Sequence, residues 1–118
     1  MHSERLLDHF QNPRNVGELD PPAVTIEVMN PACGDILRLS ARAEDGLIKE
    51  VRYKVRGCTA SIAAGSAFTE LLMGRATKDI GAITADEVEA EIDGLITESK
   101  HAAVLCRDAA RALAAKLK

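Results

Sequence analysis

The sequence predicts an α+β fold, a three-stranded antiparallel sheet with helices packed on one face. Three observations carry this expectation. Residues 24–56 contain three runs that alternate apolar and polar side chains with period two. The runs follow one another through turn-rich segments, which favours an antiparallel meander over parallel strands. From about residue 60 onward the pattern becomes helical, so strands come first and helices later.

An N-terminal helix is expected over 3–10, with Ser3 as its cap and Leu6, Leu7 and Phe10 on one face. Pro13 ends it, and Asn15 and Gly17 mark a turn. In the first strand, expected at 23–30, Val24, Ile26 and Val28 alternate with Thr25, Glu27 and Met29. Pro31-Ala32-Cys33-Gly34-Asp35 is a loop by composition. The second strand, at 35–43, alternates Leu37, Leu39 and Ala41 with Arg38, Ser40 and Arg42. Glu44-Asp45-Gly46 carries the Asp-Gly dipeptide of a tight hairpin. The third strand, at 47–56, alternates Val51, Tyr53 and Val55 with Arg52, Lys54 and Arg56.

Gly57-Cys58 closes that strand. A helix is expected over 60–73, with Ile62, Phe68, Leu71 and Leu72 as core candidates and Gly74 as its stop. A short helix is expected near 77–80. Thr84 and Glu87 form a capping box for a helix that carries Val88 and Ile92 and ends at Gly94. A last, alanine-rich helix is expected to begin at Thr97 or Ser99 and run to Lys118. No repeat, low-complexity tract or linker interrupts the chain, so residues 1–118 read as one domain.

Composition narrows the function classes. Hydrophobic residues make up 47% of the 118, enough for a folded core and against disorder. The formal net charge is −3, which argues against a general nucleic-acid binder. No apolar run approaches the roughly 20 residues that span a bilayer. The polar start Met1-His2-Ser3-Glu4-Arg5 lacks the apolar stretch of a secretory signal, so a cytoplasmic location is expected. Thiols stay reduced there, and three cysteines argue for free thiols or metal ligands over a disulfide framework.

The cysteines are widely spaced, 25 residues from Cys33 to Cys58 and 48 from Cys58 to Cys106, with no CxxC pair. Cys33 falls in a Pro/Gly loop and Cys58 follows a glycine at a strand end. A meander brings such strand ends together, so the two thiols are candidate neighbours. Free cysteines are also common as small buried hydrophobes, and spacing alone leaves both readings open. His101 near the start of the last helix offers an imidazole to a metal or stands as a surface histidine. Asp35 offers an oxygen ligand or serves its turn.

The strings Asn12-Pro13-Arg14-Asn15 and Ala32-Cys33-Gly34-Asp35, and Gly57-Cys58 followed by a small-residue helix ending Thr69-Glu70-Leu71-Leu72, resemble the NifU N-terminal/IscU-type iron–sulfur cluster scaffold family. The resemblance spans essentially the whole chain. It implies a scaffold or carrier rather than an enzyme. A cysteine desulfurase would deliver sulfur, a transient [2Fe–2S] cluster would be built, and iron–sulfur acceptor proteins would receive it. It places the metal and cluster ligands at Cys33, Asp35, Cys58 and His101. Nucleic acid and membrane are not implied as partners, and a homodimer is compatible. The same donors also suit Zn²⁺.

Two departures qualify the resemblance. The family has a third cysteine directly after the histidine, where this chain has Ala102. Ala102 is expected at the rim of the site. Cys106 lies four residues on, about one turn or ~6 Å along a helix, and roughly 140° around it from His101. It adjoins the stripe Ala102, Leu105, Ala109 and Leu113 and is expected to turn toward the core. The loss of the third thiol motivates an alternative reading, a degenerate family member acting as an interaction module or a zinc-binding protein. Leu95-Ile96-Thr97-Glu98-Ser99-Lys100 also lacks the two prolines of the family's Leu-Pro-Pro-Val-Lys segment, so the Hsp70-assisted transfer linked to that segment is not implied.

Overall fold

Strands β1 (Val24–Met29), β2 (Ile36–Glu44) and β3 (Leu47–Arg56) form one antiparallel sheet in the order β1-β2-β3. The computed structural model describes residues 2–32 and 34–117. Each strand lies within a residue or so of its expected span. Period-two patterning sets the faces: Ile26, Leu37, Leu39, Ala41, Val51 and Tyr53 are buried, whereas Glu27 and Lys54 point to solvent. Asp45 and Gly46 have φ of 54° and 76°, the two positive values a two-residue type I′ hairpin needs. Past Arg42↔Glu50 the register shifts to Ala43↔Ile48, leaving Lys49 as the extra residue of a bulge beside the turn.

Helices α2 (Thr59–Leu72) and α4 (His101–Lys116) cover the apolar face, α2 against β3 and α4 against β1 and β2. Ala60, Ala63, Ala64, Gly65 and Ala67 line the buried side of α2, so the helix approaches the sheet closely. A Cβ on Gly65 would stand 2.6 Å from Cε2 of Tyr53. That closeness explains why Ile62 and Leu71, expected in the core, are only partly buried, while Phe68 and Leu72 are fully buried.

Helix α1 (Glu4–Gln11) is capped by Ser3, whose Oγ accepts from the Leu6 amide at 3.0 Å. Its buried face differs from the apolar stripe expected. Leu6 and His9 point inward, and Leu7 and Phe10 are 39% and 37% exposed. The reason is a polar contact: His9 Nδ1 meets Ser66 Oγ of α2 at 2.7 Å, and a residue three positions after Leu6 shares its face. The Arg14 amide donates to the same Ser66 oxygen at 2.9 Å, and Asn15 Nδ2 donates to Thr69 Oγ1 at 3.0 Å. The Tyr53 amide donates to the Asn15 carbonyl, and Gly17 donates back to the Tyr53 carbonyl. The Asn-Pro-Arg-Asn string thus pins the N-terminal segment to α2 and covers the free edge of β3.

The remaining elements follow the pattern with one correction. Residues Thr77–Ala82 form a 3-10 turn, and α3 (Ala85–Glu91) carries the Thr84–Glu87 capping box. The last helix does not begin at a Thr97 or Ser99 cap. Thr97–Ser99 make a 3-10 turn, Lys100 continues in helical conformation, and α4 starts at His101 without a side-chain cap. No helix among the described residues is long and apolar enough to cross a membrane.

Candidate metal centre

The register of β2 and β3 creates the site. Ile36 pairs with Arg56, so continuing that register sets Asp35 opposite Gly57, at the end of the sheet where α2 begins. Asp35 comes in so closely that a Cβ on Gly57 would lie 2.5 Å from its Cγ and 2.6 Å from its Oδ2. Only glycine admits the carboxylate there. Cys58 then occupies the N-cap position of α2 in extended conformation, with φ −81° and ψ 171°. His101, the first residue of α4, arrives from the other side.

These three side chains converge. Cys58 Sγ lies 3.5 Å from Asp35 Oδ2 and 3.6 Å from His101 Nε2. His101 Nε2 lies 3.5 Å from the same Asp35 oxygen. Their ligand atoms all fall within 4.8 Å of one another. The carboxylate is buried, the imidazole half-buried and the Cys58 side exposed, so the cluster opens to solvent on its sulfur side. One sulfur, one nitrogen and one oxygen at this separation suit a tetrahedral cation such as Zn²⁺ or thiolate-bound iron.

Hydrogen bonds fix both flanks. The Asn30 amide donates to the Asp35 carbonyl at 2.9 Å and the Gly34 amide to the Asn30 carbonyl at 2.7 Å, closing the loop before β2. Ahead of His101, Glu89 Oε1 accepts from the Leu95 amide at 3.2 Å and from Lys100 Nζ at 2.7 Å. These bonds brace the segment from Leu95 to Lys100. At the other end of α1, Arg5 reaches Glu91 and Asp93.

Of the four expected ligands, Asp35, Cys58 and His101 come together. Cys33 lies outside the described residues. Ala102 is fully buried and does not stand on an open rim. The physical reason is the helix period: one residue past His101 the chain has turned about 100°, onto the core stripe with Leu105, Ala109 and Leu113, all buried. Cys106 is buried as expected, and burial pushes its thiol well above the usual range. An inert, protonated thiol is the outcome.

Sequence reasoning missed two residues. Gly57 ends a strand by its pattern and is also the cradle of Asp35. Ser61 belongs to none of the motifs, yet its Oγ donates to Asp35 Oδ2 at 2.5 Å and lies 3.5 Å from Cys58 Sγ. Its signal was present: a polar residue three positions after a helix-starting residue returns to the same end of the helix.

The family described as NifU-like N terminal domain matches residues 1–118. The iron-sulfur cluster assembly scaffold protein IscU of Haemophilus influenzae is 36% identical over 121 residues, covering 99% of this chain and 95% of its own. The protein of the same description from Azotobacter vinelandii is 37% identical over 115 residues, covering 94% and 89%. Among solved structures, the N-terminal part of a nitrogen-fixing NifU-like protein from Brucella abortus superposes with a TM-score of 0.62 at 20% identity, covering 96% of this chain and 79% of that one. The last comparison supports the fold alone. The match along the whole sequence and the identity to full-length relatives establish that the chain belongs to the NifU-like N-terminal domain family.

Proposed function

We propose that this protein is a scaffold and carrier for iron–sulfur cluster assembly, acting as one domain over residues 1–118 and not as an enzyme by itself. The observation that carries the reading is the convergence of Asp35, Cys58 and His101 within 4.8 Å, at a sheet end open to solvent. Cys33, two residues before Asp35 in sequence, is the fourth proposed ligand. The cluster, of [2Fe–2S] type, is cargo. A cysteine desulfurase supplies its sulfur in the cytoplasm, and iron–sulfur acceptor proteins take it.

The chain's own residues suit temporary custody. Thiolates bind iron tightly and must lose their protons to do so. With Ala102 in place of a third cysteine and Cys106 sealed in the core, at most two thiolates serve the site. Nitrogen and oxygen donors complete the set, and this harder mixture holds a cluster less firmly than four thiolates. The pure interaction-module reading is not favoured, since relatives at 36–37% identity are described as cluster assembly scaffolds. Zn²⁺ is a further occupant the donors accept.

The test is assembly and hand-over. The purified chain is incubated anaerobically with ferrous iron, L-cysteine and a cysteine desulfurase, then mixed with an apo-ferredoxin. The proposal expects a visible cluster on the chain, followed by its appearance on the ferredoxin. Ferredoxin maturation that proceeds at the same rate without the chain contradicts it.

A further inference from the structure

We infer that Ser61 is a positioning residue that holds the Asp35 carboxylate in its ligand orientation. The inference rests on the ligand role proposed for Asp35 and adds a residue that supports it. Ser61 is the third residue of α2 and is 1% exposed. Its hydroxyl donates to Asp35 Oδ2 at 2.5 Å. That oxygen is the one facing the other two donors, 3.5 Å from Cys58 Sγ and 3.5 Å from His101 Nε2. One hydroxyl therefore bonds the single atom on which the three-donor geometry turns.

The direction of the bond follows from proton count. An ionised carboxylate only accepts, so the hydroxyl must donate, and its one proton is then committed. Toward Cys58 Sγ, 3.5 Å away, Ser61 is left as an acceptor. The other side of the carboxylate is closed by Gly57, where a Cβ would come within 2.5 Å of Asp35 Cγ. The Cys58 backbone amide also donates to Oδ2 at 3.4 Å, so Asp35 is held by a helix hydroxyl, that amide and the bare backbone of Gly57. Its orientation is set before any cation arrives, which removes an ordering cost from binding. Carboxylate ligands elsewhere are held by such hydrogen bonds, whose loss costs roughly 10–100-fold in metal affinity.

A serine that merely fills space would be indifferent to losing its hydroxyl, and this separates the two roles. The probe is cobalt(II) alone, titrated anaerobically into the metal-free chain and read by its d–d and thiolate charge-transfer absorption. Four proteins are compared: wild type, Ser61→Ala, Asp35→Ala and the double variant, each checked for fold by circular dichroism. Ser61→Ala should weaken cobalt binding roughly 10-fold and shift the d–d bands. In the Asp35→Ala background the same change should do nothing more, because the hydroxyl has lost the group it positions. Ser61→Thr, which keeps the hydroxyl, should bind cobalt more tightly than Ser61→Ala. Wild-type affinity and spectrum in Ser61→Ala overturn the inference, as does an equal loss in both backgrounds. A wild-type chain that takes up no cobalt overturns the metal-centre reading itself, and the inference with it.

Discussion

Oδ2 of Asp35 lies 3.5 Å from Cys58 Sγ and 3.4 Å from the Cys58 backbone amide, which donates to it. Two residues 23 apart in sequence thus share one corner of the molecule. The β2–β3 register delivers them there, and the missing side chain of Gly57 lets them meet. The arrangement links sheet geometry directly to site chemistry, and it makes Gly57 the most sensitive backbone position of the site.

Replacing Gly57 with alanine should displace Asp35, because the new Cβ would overlap its Cγ at 2.5 Å. Overpacking of this kind costs about 1–3 kcal/mol. The expected result is a folded chain whose cobalt or iron uptake is greatly reduced. Gly65→Ala is the control. Its Cβ strikes the Tyr53 ring at 2.6 Å, away from the ligands. It should lower the urea midpoint while leaving metal uptake per folded molecule unchanged. Equal uptake by Gly57→Ala and wild type would contradict the cradle.

Cys106 and Cys58 should differ sharply toward iodoacetamide. Burial raises the Cys106 thiol, and only Cys58 of the two is open to solvent. Peptide mapping of the native metal-free chain should find Cys58 alkylated and Cys106 intact, with Cys106 reacting only after denaturation. Cys106→Ala should then cost about 1 kcal/mol of packing and leave cluster decay and sulfur loading by a desulfurase unaltered. Abolition of either would make Cys106 the working third thiol.

Ala102→Cys should not restore a soft donor to the site. Ala102 is wholly buried on the core stripe of α4, so the new sulfur adds volume to a packed helix start, and some loss of stability is expected. Yield and decay of a reconstituted cluster should stay at wild-type values in the folded protein, because a thiol packed in the core does not reach the iron. A longer-lived cluster in Ala102→Cys would show that position 102 opens to the site.

His9 should make the fold sensitive to mild acid. Burial lowers its pKa from 6.5, with the nearby Arg14 guanidinium acting in the same direction and Glu70 and Asp8 opposing. The unfolded chain then binds more protons than the folded one as pH falls below about 6.5. Stability is therefore full above that pH and is lost as pH drops through the folded-state value. Urea midpoints at pH 7.5 and 5.5 should differ, and the difference should shrink in His9→Gln. Asp8 and Glu18, held below their ordinary values by hydrogen bonds from Arg14 and Arg38, act at more acid pH. An unchanged pH dependence in His9→Gln would contradict the assignment.

Much of the fold was legible because its signals are local. Period-two alternation marked the three strands, Asp45-Gly46 the hairpin, and Thr84 with Glu87 the cap of α3. The inward face of α1 departs from its apolar stripe because a buried histidine, satisfied by Ser66, takes the place hydrophobicity assigns to Leu7 and Phe10. Such a contact joins residues 57 apart and leaves no local trace. The start of α4 was misplaced for the opposite reason: good capping residues at 97 and 99 are spent on a 3-10 turn. At the site, Asp35, Cys58 and His101 were visible through motif resemblance, whereas Ser61 and Gly57 matter only through the carboxylate they hold.

Cys58, with Asp35, His101 and Cys33, is the proposed holder of the iron–sulfur cargo. The most direct measurement is anaerobic reconstitution with ferrous iron and sulfide, followed by iron and acid-labile sulfide analysis of the desalted protein, wild type against Cys58→Ala. Wild type should carry equimolar iron and sulfide with visible charge-transfer absorption, and Cys58→Ala should lose nearly all of both. Equal iron and sulfide in the two proteins, or none in the wild type, would contradict that role.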